Sequence, residues 1–196
     1  MNRFFFFTLA ACAIGCSQGV AADKNPVVLV DTSMGKIKIE LYPDKAPITV
    51  KNFLDYVDDK FYDGTIFHRV MPNFMIQGGG FKPGLDEKDT KKPIKNESTN
   101  GLENQRGTIA MARTGVPDSA TAQFFINVKY NDFLDKVKAR DRVGYCVFGK
   151  VIDGMDVVDK IVEVQTVTRQ EPKHNMPMQN VPDQDVMIKS VRLVDK

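Results

Sequence analysis

Short apolar runs recur along the chain, and one segment alternates apolar and polar residues with the period of two that predicts a strand with one wet face. From Lys36 to Leu41 the alternation is strict, with Ile37, Ile39 and Leu41 on one face and Lys36, Lys38 and Glu40 on the other. The apolar run Val27 to Val30 precedes it, and Thr32 to Gly35 supply turn chemistry between the two. The pair reads as a hairpin with one wet face, which belongs in an antiparallel sheet. Further strands are predicted at Thr65 to Met71, Phe74 to Gly78, Thr108 to Ala112, Gln123 to Val128 and Cys146 to Val151. The last strand, Val186 to Val194, changes phase between Val186, Ile188 and Val191, Leu193, which marks a bulge.

Two segments follow a helical period instead. Pro47 suits a first turn, and Val50, Phe53, Leu54 and Val57 then fall on one face. Met155, Val158, Ile161 and Val162 make a second apolar stripe. Many short strands with two helices predict a mainly β fold, sandwich or barrel. Phe81 to Arg106 and Gln165 to Asp185 show no clear period and read as long polar loops, the second containing Pro172, Pro177 and Pro182. No internal repeat or linker divides the chain.

Composition narrows the class. With 196 residues, 42% hydrophobic and a formal charge of +2, the chain has material for a packed core and no basic excess of the kind that coats nucleic acid. The first 22 residues read differently from the rest. Arg3, the apolar run Phe4 to Ile14 and a small-residue end at Val20-Ala21-Ala22 form the layout of a secretory signal cut before Asp23. The apolar run is shorter than the roughly 20 residues a membrane span needs. Residues 23–196 are then the mature domain, expected in a periplasm or outside the cell. Ala13-Ile14-Gly15-Cys16 offers a competing signal, in which Cys16 would carry a lipid anchor. Release as a soluble protein is the preferred reading, and it leaves Cys146 without a disulfide partner. Cys146 sits in an apolar run and reads as a small core residue.

Several chemistries fail on motif: no G-x-S-x-G, H-E-x-x-H, C-x-x-C or G-x-x-x-x-G-K occurs, and Gly78-Gly79-Gly80 is too short for a dinucleotide loop. His68 and His174 lie far apart, so no metal site is expected. The densest run of unusual residues is Phe61 to Gly80. Strand parity puts His68 and Arg69 on opposite faces, with Arg69 beside Phe67. It puts Met75 with Gln77, away from Ile76, and Gln123 with Phe125, away from Phe124 and Ile126. Arg69, Gln77 and Gln123 with Phe74, Met75 and Phe125 could line an apolar depression edged by hydrogen-bonding groups. The same residues would also suit packing between sheet and loop, and parity does not choose.

Tyr62 to Gly79, YDGTIFHRVMPNFMIQGG, resembles the signature of the cyclophilin-type peptidyl-prolyl isomerases over eighteen consecutive positions. The resemblance continues at Gly107 to Arg113, Ala122 to Asn127 and Phe148 to Val151, in order along the chain. It implies a closed eight-stranded antiparallel barrel capped by two helices, with the site on its outer wall and a packed interior. The secretory start matches the periplasmic bacterial branch. By this resemblance Arg69 and Gln77 are catalytic. Phe74, Met75, Phe125 and Leu134 hold the proline ring, the main chain of Ala112 and Arg113 pairs with the residue before it, and Gln123 lines the adjoining groove. No cofactor is needed, the substrates are unfolded or flexible proline-containing polypeptides, and nothing demands more than a monomer.

Three positions depart from common family members. Phe133 replaces a Trp associated with tight cyclosporin binding, so such ligands are expected to bind weakly. Tyr145 replaces a His and still offers a hydroxyl. Arg113 replaces an Asn at a place where the family uses the main chain. The competing functions are a holdase or peptide-binding module that needs no turnover, and, less favoured, a carrier with a ligand inside the barrel.

Overall fold

The computed structural model describes residues 25–194. The expected leader, its two alternative cut sites, Cys12 and Cys16 lie outside the described residues.

The elements run β1 (Val27–Thr32), β2 (Gly35–Leu41), α1 (Pro47–Asp58), β3 (Thr65–Met71), β4 (Met75–Gly78), β5 (Phe81–Lys82), β6 (Asp86–Glu87), β7 (Thr108–Met111), β8 (Phe124–Asn127), β9 (Val147–Asp153), α2 (Met155–Val162), β10 (Thr166–Glu171), β11 (Met176–Pro182) and β12 (Met187–Val194). Eight strands close into an antiparallel barrel in the order β1-β12-β3-β4-β8-β7-β9-β2. Register follows the alternation: Val28 faces Ile39 and Val30 faces Ile37 across the first hairpin, all four buried, while Lys36 and Lys38 stay exposed. A slip of one residue would turn this whole set to water, so the pairing is strongly specified.

The barrel interior is filled. Phe67, Phe124, Phe148, Ile76, Ile109 and Ile126 are fully buried within one cluster. Phe53 of α1 packs its ring against Tyr62, Phe124 and Phe148, with centroids 5.1, 5.7 and 5.3 Å away. Each such ring pair contributes about 0.5–1.5 kcal/mol beyond its area. A packed interior removes the reading of an internal carrier site. α2 adds Val157, Val158 and Ile161 to the same core. The start of α1 has no cap from its own flanking residue. Glu97 supplies one from the long loop, accepting from Ile48 N at 3.2 Å and from Thr49 N and Oγ1, both at 2.8 Å. A carboxylate there satisfies orphan N–H groups and complements the helix dipole.

Three features differ from, or refine, the pattern-based reading. The polar stretch Gln165 to Asp185 is a β10–β11 hairpin rather than a loop. Its residues are mainly polar and exposed or only partly buried, so no two-residue period shows, and Pro177 and Pro182 are tolerated because this two-stranded ribbon is separate from the barrel sheet. Val181 anchors it on Ile66, Phe81 and Leu85. The phase change in the last strand is a bulge, since Asp31 pairs with Ser190 and Thr32 with Ile188; Val191 is buried but Leu193 is half exposed. The third feature lies in β3. Phe67 pairs with Gly78 and Arg69 with Gln77, so His68 is an extra residue in the ladder. Phe67 and Val70 face the interior, and Arg69 is turned outward instead of sharing the face of Phe67. Ile66 and His68 pack with Phe81 beneath the second hairpin, His68 with a ring separation of 4.6 Å.

Candidate active site

A second apolar cluster lies on the outer wall, separate from the interior. Met75, Ala110, Phe125, Leu134 and Val147 are buried in it, with Phe74, Ala112 and Tyr145 at its margin. The pleat builds it: Gln77 and Ala110 both pair with Phe125, so side chains one apart along β4 and β8 turn alternately to core and wall. The result is a pocket of about 160 Å³ lined by Arg69, Phe74, Met75, Gln77, Ala112, Arg113, Phe125, Leu134 and Tyr145. The glycine run beside it has a steric cause. Gly79 (φ +85°) lies against Tyr62 and Phe124, and a Cβ on Gly80 would stand 2.6 Å from Cγ of Gln123.

Arg69 reaches this pocket because of the β3 bulge, a device that re-aims a side chain. Its Nη1 stands 3.5 Å from Gln77 Oε1, at the limit of a hydrogen bond, and its guanidinium lies 5.8 Å from the Phe74 ring centre. Among the described residues no carboxylate pairs with it. Burial lowers its pKa from the usual value and the Tyr145 phenol opposes that, yet a guanidinium remains charged. Gln77 is fixed from behind, donating Nε2–H to Gln123 Oε1 at 2.9 Å. Arg69 is therefore a half-buried cation whose donors are largely uncommitted.

Arg113 is the opposite case. Its side chain is 2% exposed. It donates to Gly144 O at 3.0 Å, to Thr114 O at 2.9 Å and to Asp141, and lies 4.5 Å over the Tyr145 ring. The Arg113 bond, with the N–H groups of Val143 and Gly144, holds the Asp141 carboxyl down at about 2. The side chain thus fixes the wall of the pocket. The adjacent main chain is open: Ala112 donates its N–H to Gln123 O at 2.9 Å, while its carbonyl and the Arg113 N–H have no partner among the described residues.

Beneath the apolar floor runs a buried polar chain that the sequence reading missed. Asn131 donates to Phe74 O at 2.8 Å and to Asn127 Oδ1 at 2.7 Å. Asn127 donates to Thr108 Oγ1 at 2.9 Å, and Asn104 donates N–H and Nδ2–H to Asp135 Oδ1 at 2.7 and 2.9 Å. Leu134 N–H is held by Asn131 O at 2.9 Å. These bonds fix the main chain at Phe74 and Leu134, two of the residues that line the pocket. The available signal was Asn127, a polar residue ending an apolar strand, followed by Asn131 one helical turn on.

Two expected site residues stand outside the pocket proper. Gln123 lines an adjoining depression with Thr114, Ser119 and Thr121. Phe133 is half exposed at the rim, its ring 5.5 Å from that of Phe74. Cys146 is buried beside Thr49 Oγ1 at 3.4 Å, and burial pushes its thiol up to about 11, which leaves it unreactive near neutrality. His68 is held neutral by burial, with a pKa lowered to about 3.

Comparison with known proteins agrees with this geometry. A family model described as cyclophilin type peptidyl-prolyl cis-trans isomerase/CLD matches residues 27–183. A peptidyl-prolyl cis-trans isomerase of Acinetobacter baylyi is 60% identical over 169 residues, covering 86% of each chain. Peptidyl-prolyl cis-trans isomerase B of Escherichia coli is 58% identical over 166 residues, covering 84% of this chain and 98% of that one. The crystal structure of a cyclophilin type isomerase from Cryptosporidium parvum superposes with a TM-score of 0.71 at 24% identity, over 88% of this chain and 99% of the other.

Proposed function

The chain belongs to the cyclophilin-type peptidyl-prolyl cis-trans isomerases, and we propose that it turns X-Pro bonds of secreted, incompletely folded polypeptides at the outer-wall pocket, with Arg69 as the key donor. Rotation about such a bond faces a barrier of ~18–20 kcal/mol, because the planar amide loses resonance. No bond breaks, so the reaction requires neither a nucleophile nor a group carrier. The protein needs only to bind the twisted amide better than either planar form.

In the twisted amide the prolyl nitrogen regains a lone pair and becomes an acceptor. The uncommitted Arg69 guanidinium, beside an apolar pocket that excludes water, is the donor best placed to meet it. Phe74, Met75, Phe125 and Leu134 take the ring. The free Ala112 carbonyl and Arg113 N–H receive the backbone of the preceding residue, and Gln77 orients Arg69. A rate gain of four to five decades requires about 5–7 kcal/mol of differential stabilisation, at ~1.36 kcal/mol per decade. One donor supplies part of that, and pocket orientation the remainder.

The observation that carries this reading is the absence of a carboxylate partner for Arg69 among the described residues. Arg69→Ala is expected to lower kcat/KM on an Ala-Pro peptide by at least about tenfold, with native circular dichroism. Unchanged turnover would reject the assigned role. In a holdase using the same groove, suppression of client aggregation would persist in that variant. Delivery to the periplasm rests on the leader-like Met1 to Ala22, and the intact mass of the secreted form distinguishes a start at Asp23 from a lipidated Cys16.

A further inference from the structure

Beside the prolyl pocket a wider depression, about 560 Å³, is lined by Phe133, Leu134, Ala139, Arg140, Asp141 and Tyr145. It shares Leu134 and Tyr145 with the pocket, whereas the depression holding Gln123 shares Gln77, Ala112 and Arg113. The two depressions have no residue in common, so they open off different walls. A peptide with its proline in the pocket and the preceding residue on the Ala112–Arg113 main chain therefore leaves across Leu134 and Tyr145.

Two ionic groups line that exit. Asp141 is committed: it binds Arg113 through Oδ2, and Oδ1 accepts from Val143 N at 2.9 Å and Gly144 N at 3.1 Å. Arg140 is exposed and has no ion pair or side-chain hydrogen bond among the described residues. The surrounding segment repeats this imbalance. Asp132 is taken by Lys138 at 2.9 Å and Asp135 by buried Asn104, while the exposed Lys136 and Arg142 have no such partner among the described residues. Every carboxylate from Asp132 to Arg142 is engaged and three cations are not. The exit thus offers free positive charge over an aromatic floor of Phe133 and Tyr145.

We propose that this depression is a subsite for an acidic side chain within two residues after the proline, with Arg140 as its recognition residue. The inference rests on the isomerase reading and names a preferred substrate class for it. A guanidinium facing solvent pairs modestly and is screened by salt, so the effect is a preference, not an absolute requirement.

The test is NMR exchange, which reports X-Pro rotation without a coupling protease that has its own taste for the following residue. Peptides Ala-Pro-Glu-Ala and Ala-Pro-Ala-Glu are compared with their Gln and Lys counterparts. At low ionic strength, one Glu peptide is expected to exceed its Gln counterpart by about three- to fivefold in kcat/KM, with Lys below Gln, and ~0.5 M salt should bring the ratios near one. Arg140→Gln should erase the Glu-to-Gln ratio, and Arg140→Glu should invert the series. Equal rates for Glu and Gln at both positions overturn the proposal, as does a preference undiminished in Arg140→Gln. Failure of the wild-type protein to accelerate even the Gln peptides would instead sink the isomerase reading beneath it.

Discussion

Two arginines border one pocket, and their surroundings have little in common. Arg113 is enclosed, bonded to two carbonyls and a carboxylate and stacked on Tyr145. Arg69 has a single side-chain hydrogen-bond partner among the described residues, Gln77 at 3.5 Å. A guanidinium bonded through each of its three nitrogens stabilises the wall it sits in and has little left for a ligand. One left short of partners contributes little to folding and stays available where charge or a lone pair develops. The wall built around Arg113 makes the vacancy around Arg69 useful, because it sets the pocket shape without competing for the same acceptor.

One chemical change made at both positions separates these roles most widely. Arg69→Lys is expected to cut kcat/KM by at least about tenfold, since a point ammonium lacks the planar fork, while Tm moves by no more than about 2 °C. Arg113→Lys should do the reverse, with turnover within about threefold of wild type. Its lost carbonyl bonds and stacking cost about 1–3 kcal/mol, a Tm lower by roughly 2–10 °C. Kinetics and thermal melts on the two variants together would break the comparison if both lost activity equally. Asp141→Asn probes the Arg113 wall more gently. The amide oxygen still accepts from Val143 and Gly144, so a Tm drop of no more than about half that of Arg113→Lys is expected, with near-normal turnover.

Acid gives the smallest effect. The folded Asp141 carboxyl titrates at about 2, below its usual 3.8. Its contribution is therefore fully present above about pH 4 and lost as pH falls through about 2. The Tm gap between wild type and Asp141→Asn should narrow over that window, and only modestly, because a half-exposed carboxylate is screened. A gap that stays constant down to pH 2 would detach Asp141 from the wall's stability.

Much of this was legible beforehand, for physical reasons. β2 has one wet face, so period-two alternation marks it, whereas β7 and β8 are buried on both faces and show only as apolar runs; strand parity separated Met75, Gln77 and Phe125 from Ile76, Phe124 and Ile126. The β10–β11 ribbon escaped because its residues are mainly polar and few are buried, which leaves no alternation. The bulge at His68 escaped because one extra residue in a ladder is a property of two strands together, and neither strand carries it alone. That slip put Phe67 and Arg69 on different faces, against simple parity. Leu134, Tyr145 and the main chain at Ala112 came from resemblance to a family, since loop residues converge without any period. The bond between Arg113 and Asp141, the asparagine chain under the floor and the open charge of Arg140 depend on contacts between segments distant in sequence.

The closed order of the barrel has one more consequence. In the role proposed above, acting on incompletely folded polypeptides, the protein would be surrounded by extended segments seeking backbone partners. A barrel sheet whose first and last strands are joined to each other has no free edge strand to offer them. Clients can reach the outer wall through side chains and a short stretch of main chain, yet they cannot extend the sheet, and release is built into the architecture that receives them.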